Sequence, residues 1–132
     1  MMNAFDVLLH PSQTEGFGLL SIEAQSCGFT VIVSRNTSMP ELVIEGQTGW
    51  ICEVDRPWWR NLMGYVWPAN VDSLYNKMEE VYKELQNPKR KEEIAKDCRD
   101  NIVNNYNIDT LVAKDWTNML QSLQEEILGK SE

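Results

Sequence analysis

The sequence predicts an α/β fold: a short parallel sheet of about three strands, incomplete as it stands, followed by a helical C-terminal half. Three observations predict it. The runs Asp6–His10 and Thr30–Ser34 are too uniformly apolar for strands with one wet face, so they read as buried parallel strands. A compact helical stretch lies between them and ends at a glycine, which is the order of a crossover unit. From Val71 onward, apolar residues recur at i, i+3, i+4 and i+7, the period of helices with one buried face.

Asp6-Val7-Leu8-Leu9-His10 is the first strand, closed by Pro11-Ser12. Leu19, Leu20, Ile22, Ala24 and Cys27 then form a helix of about ten residues with Gly28 as its stop. Thr30-Val31-Ile32-Val33-Ser34 is β-branched and becomes the second strand. Pro40-Glu41-Leu42-Val43 predicts a short helix with Pro at its first position, Gly46 and Gly49 mark turns, and Trp50–Val54 makes a third strand. Residues 55–70 are aromatic, Pro-punctuated and without period, and read as an ordered loop or insertion. Val71, Leu74, Tyr75, Met78, Val81, Tyr82 and Leu85 define the next helix, with Asp72 as the expected cap. Asn87-Pro88 opens another, carrying Ile94, Cys98 and Ile102. Asp109 opens the last, carrying Val112, Trp116, Met119, Leu120, Leu123 and Ile127, and the polar end Gly129–Glu132 is expected to fray. The expected organisation is one partial domain over 1–132: a strand-helix-strand segment (1–54), a Trp-rich insertion (55–70) and C-terminal helices (71–128). Three strands are few for a doubly wound domain, so the first is expected to need a neighbour from upstream sequence or from a second copy.

Composition narrows function. With 42% hydrophobic and 24% charged residues the chain can build a core, and its net charge of −8 is spread along the chain, which disfavours nucleic acid and adsorption to anionic membranes. No apolar stretch is long enough to span a bilayer and no signal peptide is visible, so the expected location is cytoplasmic. Cys27, Cys52 and Cys98 are odd in number and widely spaced, with His10 the one histidine. They are expected to be buried reduced thiols, and neither a disulfide framework nor a zinc site is implied.

Glu15-Gly16-Phe17-Gly18-Leu19-Leu20-Ser21-Ile22-Glu23 carries the chemistry. Its first carboxylate lies in the loop after a strand and its second within the following helix, where the Cβ tilt directs side chains back towards the helix start. Both could line one crevice at the carboxyl end of a parallel strand, where open α/β sheets take ligands, and the free N–H groups of the helix start suit a diphosphate. Spacing alone equally accommodates an acid favoured by the helix dipole and a solvated surface glutamate.

The flanks add to this. Asp6-Val7-Leu8-Leu9-His10-Pro11-Ser12, Glu15-Gly16-Phe17-Gly18, Glu23-Ala24, Cys27-Gly28, Pro40-Glu41-Leu42-Val43 and Gly46-Gln47-Thr48-Gly49 follow in the order and spacing of glycosyltransferase family 4, which this sequence resembles closely over 6–54 and more loosely at Tyr106–Asp109 and beyond. The resemblance implies the latter part of the Rossmann-like donor-binding domain of a GT-B enzyme. Such an enzyme transfers a sugar from a nucleoside-diphosphate donor with retention, without metal or other cofactor. It further implies that Glu15, the candidate catalytic residue, contacts donor-sugar hydroxyls; that backbone amides at Phe17, Gly18 and Leu19 meet the sugar or diphosphate; and that Glu23 binds the ribose. A carboxylate can chelate a vicinal diol, and one beside the sugar can stabilise developing positive charge. The implied partners are a nucleotide sugar and the upstream GT-B half or a second copy. Because the family's diphosphate-neutralising basic residues lie upstream of the first motif, the isolated chain is expected to show little or no turnover. Thr37-Ser38 departs from the pattern, since Gly-Gly commonly stands there, and Arg35 replaces a small or acidic residue.

Other residues carry two readings. His10 is a ligand contact or a hydrogen-bonded structural residue, and Arg35 a phosphate contact or a solvated strand end. Trp50, Trp58, Trp59 and Trp67 form a sugar or partner platform, or pack the insertion onto the helical tail, the reading preferred here. Glu41 sits where a helix dipole favours an acid, and Lys89-Arg90-Lys91 reads as a solvated helix face. The alternative for the whole chain is a catalytically inactive interaction or oligomerisation module; a nucleotide-sugar epimerase on the same architecture is a third, weaker option.

Overall fold

A computed structural model of the protein describes residues 5–129. Three strands, β1 (Val7–His10), β2 (Thr30–Ser34) and β3 (Gly49–Cys52), form a parallel sheet in the order β1-β2-β3. Val7 lies opposite Thr30 and His10 opposite Val33; Val31 lies opposite Gly49 and Ser34 opposite Cys52. Helix α1 (Leu19–Ser26) crosses from β1 to β2, and a 3-10 turn (Met39–Leu42) with Pro40 in its first turn crosses from β2 to β3. Both connections return the chain to the same end. The loops after all three strands therefore gather at the sheet's carboxyl edge.

The central strand β2 is buried along its whole length. Val31 and Val33 point to one face, with Ala24, Met39, Leu42 and Ile51; Ile32 points to the other, with Trp50, Val81, Ile94 and Cys98. That second face is covered by α2 (Val71–Leu85) and α3 (Pro88–Asn105). The indole N–H of Trp50 donates to Glu80 of α2 at 2.8 Å, so this tryptophan does pack onto the helices. The α/β class and the three-stranded parallel sheet agree with the sequence, and among the described residues β1 has no neighbour on its outer side. Leu9 is 44% exposed there, beside a cavity of about 520 Å³ lined by Asp6, Leu9, Met78, Tyr82, Leu85 and Lys91.

Several local expectations are corrected. Residues 55–70 are not a loop but an antiparallel hairpin, β4 (Trp58–Arg60) with β5 (Gly64–Val66), and they do not pack onto the helical tail. Trp58 and Trp59 are exposed, and the hairpin is tied instead to the loops after β1 and β2 through Trp67, whose N–H donates to the Gln13 carbonyl at 2.9 Å. The cap of α2 is Asn70, whose side chain accepts from Ser73 N–H at 2.8 Å; Asp72 lies in the first turn. Asn107, not Asp109, receives the free N–H groups at the last helical segment, which begins as a π turn (Ile108–Val112) before α4 (Ala113–Gly129). In each case an amide side chain two positions upstream reaches the N2 or N3 donor that the expected acid, already inside the turn, cannot. Cys52 and Cys98 are buried as expected, but Cys27 is exposed because it ends α1 at the surface. Arg90 is not merely solvated: it pairs with Glu84 at 2.8 Å and donates to the Gly46 carbonyl at 2.6 Å, fastening α3 to the turn before β3. The apolar stripe of α4 is uncovered, Trp116, Leu120 and Ile127 all being more than half exposed. The polar end beyond Gly129 and the start before Phe5 lie outside the described residues.

Candidate functional site

At the carboxyl end of β1, His10 holds the loop that follows. Its Nδ1 is 2.8 Å from the hydroxyl of Ser21, a fully buried residue on α1, and its Nε2 is 3.5 Å from Glu15 Oε2. In a neutral ring, Ser21 O–H donating to Nδ1 leaves Nε2–H facing the carboxylate. The second Glu15 oxygen accepts from Gly16 N–H at 3.1 Å, and the Glu15 N–H donates to the Thr37 hydroxyl at 3.2 Å. Glu15 is thus gripped on both carboxylate oxygens and on its backbone, while remaining only partly buried. Of the two readings of His10, the hydrogen-bonded structural one describes what it does here, although its target is the candidate catalytic carboxylate.

Asn36, almost entirely buried, ties the rim together. Its amide nitrogen lies 2.8 Å from the Ser12 carbonyl, 3.2 Å from Ser34 Oγ and 3.3 Å from the Trp67 carbonyl, and its oxygen accepts from the Thr37 hydroxyl at 3.0 Å. One side chain therefore joins the loops after β1 and β2 and the stem of the hairpin. Thr37 has φ 45, the left-handed backbone that a glycine takes without strain and a β-branched residue rarely adopts. Its hydroxyl explains the exception: it donates to Asn36 and accepts from Glu15. Ser38 O–H donates to the Phe17 carbonyl at 3.3 Å, completing the contact between the two loops.

Gly18 makes the turn into α1. Its φ is 92, and a Cβ there would lie 2.6 Å from Leu42 Cδ1 and 3.1 Å from Met39 Sδ, so only glycine fits. No side chain caps α1, and its first turn carries no acid. Ser21 N–H donates to the Gly18 carbonyl at 3.0 Å, while the N–H groups of Leu19 and Leu20 are left to an outside acceptor, and the local dipole favours an anion. Phe17 is half exposed and meets Tyr106 edge to face at 6.3 Å between ring centroids. Burial, and after it the neighbouring Glu41, hold the Tyr106 phenol above its ordinary range, and its hydroxyl donates to the Glu41 carbonyl.

The five residues singled out from sequence thus fall in two places. Glu15, Phe17 and Gly18 form the loop at the strand end, and Leu19 and Glu23 lie on the exposed face of α1, one turn apart. No hydrogen bond or ion pair joins Glu15 to Glu23: the first is turned to His10, and the second has no side-chain partner among the described residues. Arg35 pairs with Glu53 at 2.7 Å on the surface. The cavity beside β1 shares no lining residue with this loop and belongs to the open sheet edge. Among the described residues no three His, Cys, Asp or Glu side chains converge as a metal centre.

Sequence reasoning missed Asn36 and Ser21. Asn36 carried one signal, an amide two residues after a fully buried strand, where a buried polar group needs several partners. Ser21 carried another, a hydroxyl on the helix face shared with Ala24 and Gln25, which are buried.

Residues 1–58 match the family model of the group 1 glycosyl transferases. Among curated proteins, the N-acetyl-alpha-D-glucosaminyl L-malate synthase of Bacillus anthracis is 43% identical over 49 residues, 37% of this chain but 13% of that protein. The chain therefore corresponds to a small part of such a relative. Among solved structures, sucrose-phosphate synthase of Thermosynechococcus elongatus superposes with a TM-score of 0.70 at 24% identity, covering 93% of this chain and 27% of that one. The Anabaena protein HepE, solved in complex with UDP, gives 0.71 at 22% identity, covering 92% and 29%. At these identities the superpositions establish the fold, that of a portion of a GT-B glycosyltransferase.

Proposed function

We propose that this chain is the latter part of the donor-binding domain of a retaining glycosyltransferase that moves a hexosyl group from a nucleoside-diphosphate sugar to an acceptor. The observation that carries the proposal is the grip on Glu15: a carboxylate fixed at a strand's carboxyl end, three residues before a left-handed Gly18 that opens an uncapped helix. In this reading Glu15 accepts from donor-sugar hydroxyls and, as the fixed anion beside the anomeric carbon, stabilises positive charge as the leaving diphosphate departs. The N–H groups of Phe17, Gly18 and Leu19 meet the sugar or diphosphate, and Glu23, exposed and unpaired, takes the ribose diol. The proposed transfer is metal-independent. The residues 1–132 act as one partial domain, cytoplasmic, whose site is completed across the cleft by the upstream half of a GT-B protein or by a second copy; alone, the chain turns over little or nothing.

The test is calorimetric titration of the purified chain with UDP, GDP, ADP and the matching sugar nucleotides. One nucleotide is expected to bind and to lose about tenfold or more in affinity in Glu23→Ala, the scale of charge-assisted hydrogen bonds removed from a ligand. A folded chain that binds none, or whose binding ignores Glu23→Ala, refutes the donor-site assignment. The open flank of β1 and the uncovered apolar face of α4 favour the second reading, an interaction module without catalysis, and a self-associating chain that binds no nucleotide would establish it.

A further inference from the structure

The hairpin β4–β5 is the part of the molecule that the donor-site reading leaves without a task. Its apolar side chains are displayed rather than buried: Trp58 is 49% exposed, Trp59 62%, Tyr65 58%, Met63 56%, and Leu62 at the tip fully so. Strand alternation sends Trp59 and Tyr65, a cross-strand pair, to one face and Trp58, opposite Val66, to the other. The tip and the Trp59–Tyr65 face are exposed and apolar, while the other face carries exposed Trp58 and Arg60 and is closed at its base by buried Val66. Leu62 also stands at φ 72, a left-handed conformation unfavourable for leucine, at the one place where no protein atom covers it.

Charge sets the segment apart as well. Between Asp55 and Asp72 the only charged residues are Arg56 and Arg60, a local +2 in a chain of net −8. Neither arginine makes an ion pair among the described residues, whereas the neighbouring acids are engaged: Glu53 holds Arg35, and Asp55 accepts from Asn70. The hairpin is also stiff. Trp59, Tyr65 and Trp67 form a ladder of ring contacts at 5.4 and 6.5 Å, Val66 is buried, and Trp67 is bonded into the loops at the sheet's edge.

We propose that this hairpin is a membrane-surface anchor that inserts its tip into the headgroup region of a bilayer, with Arg56 and Arg60 meeting lipid phosphates. The exposed apolar surface runs round the tip, from Trp58 on one face to Trp59 and Tyr65 on the other, with Arg56 and Arg60 beside it, which couples apolar insertion to contact with anionic headgroups. Tryptophan and tyrosine are the residues favoured at the membrane–water boundary. From the tip to the Trp58–Val66 rung the ribbon spans about 10 Å at ~3.3 Å per residue, close to the 5–10 Å to which interfacial elements bury. The −8 of the whole chain opposes adsorption by long-range charge, but at physiological salt acids more than about 8 Å from the surface are largely screened. Apolar insertion thus provides the base affinity, and the two arginines add a preference for anionic lipid of about fivefold each. This anchor does not depend on the donor-site reading.

The test is flotation of the purified 132-residue chain with phosphatidylcholine vesicles and with vesicles containing phosphatidylglycerol. The chain is expected to float with both, more with the anionic ones. Leu62→Asp should reduce the partition at least about tenfold, the loss expected when a leucine no longer enters an apolar phase. Since Leu62 is fully exposed, that variant should keep the wild-type melting curve. Arg56→Gln with Arg60→Gln should remove the anionic preference and leave binding to phosphatidylcholine. A chain that stays unbound with both vesicle types, or whose binding survives Leu62→Asp combined with Trp59→Ala, overturns the proposal. So does a dimer in light scattering that Leu62→Asp dissolves while vesicles recruit nothing, which would assign the hairpin to a second copy.

Discussion

Replacing Asn36 should unfasten three segments at once. Its amide nitrogen faces three acceptors and its oxygen takes the Thr37 hydroxyl, all at 3.3 Å or less, with the residue only 7% exposed. In Asn36→Ala the Trp67 carbonyl and the Ser34 and Thr37 hydroxyls lose a partner, while the Ser12 carbonyl keeps the Ser34 hydroxyl. At about 1 kcal/mol for each well-formed bond, and somewhat more for each buried group left unsatisfied, the loss comes to roughly 2–3 kcal/mol. For a domain of this size that lowers the melting temperature by roughly 6–12 °C. Asn36→Asp has the same shape but turns a donor into an acceptor against three oxygens. A carboxyl there is held above its unfolded value, because only the protonated form can donate. Both states are protonated below the unfolded value, so the penalty is smallest there; it grows with pH until the folded carboxyl also ionises, by about 1.4 kcal/mol per pH unit. Urea denaturation of both variants at pH 4 and pH 7 gives the answer. If Asn36→Ala stays within about 0.5 kcal/mol of wild type, or Asn36→Asp is no worse at pH 7 than at pH 4, the hub does not carry the rim.

Three further outcomes are expected. In the folded protein a thiol reagent should modify Cys27 alone, with Cys52 and Cys98 reacting only after denaturation, since both are buried; mass mapping of the label checks this. Burial pushes the Cys98 thiol up from 9.0 to about 12, so its contribution to stability is intact below pH 9 and lost as pH rises towards 12; between pH 8 and 10.5 wild type should lose about 2 kcal/mol more than Cys98→Ala in denaturant titrations. Thr37→Gly should change stability by less than about 1 kcal/mol although it deletes two hydrogen bonds, because release of the left-handed strain offsets them. A drop above about 2 kcal/mol in its melting transition would show that Thr37 is not strained.

Periodicity made the helices legible: the apolar residues of α2 recur at the helical interval, and Val81 lies at the centre of the face that meets Ile32 and Trp50. The strands were legible for a different reason. An unbroken β-branched run such as Thr30–Ser34 has no face to spare for water, and β2 is buried on both sides. What was not legible depended on geometry among distant residues. Asn70 and Asn107 each lie two positions before the acids expected there, and which side chain caps depends on where the backbone leaves the extended region. The hairpin was invisible to pattern because its exposed positions, Trp58, Trp59 and Tyr65, are as apolar as buried Val66, so no polar alternation marks the strands.

The site was half legible, and the division follows the same line. Glu15, Phe17, Gly18, Leu19 and Glu23 lie within nine consecutive residues, so local sequence sufficed to group them. Their supports come from elsewhere: Ser21 is eleven residues from His10, Thr37 is twenty-two from Glu15, and Asn36 is thirty-one from Trp67. Thr37 shows what such long-range coupling permits. Where glycine is common in the resembled family, this chain holds a β-branched residue in the same left-handed conformation, an exchange unfavourable by about 1–2 kcal/mol on backbone grounds. It persists because the hydroxyl gained fixes the Glu15 backbone to the Asn36 hub, which the glycine hydrogen cannot do. The departure therefore replaces flexibility at the rim with a fixed Glu15, and under the proposed donor-site reading calorimetric titration should find stricter discrimination among sugar nucleotides in this chain than in its Thr37→Gly variant.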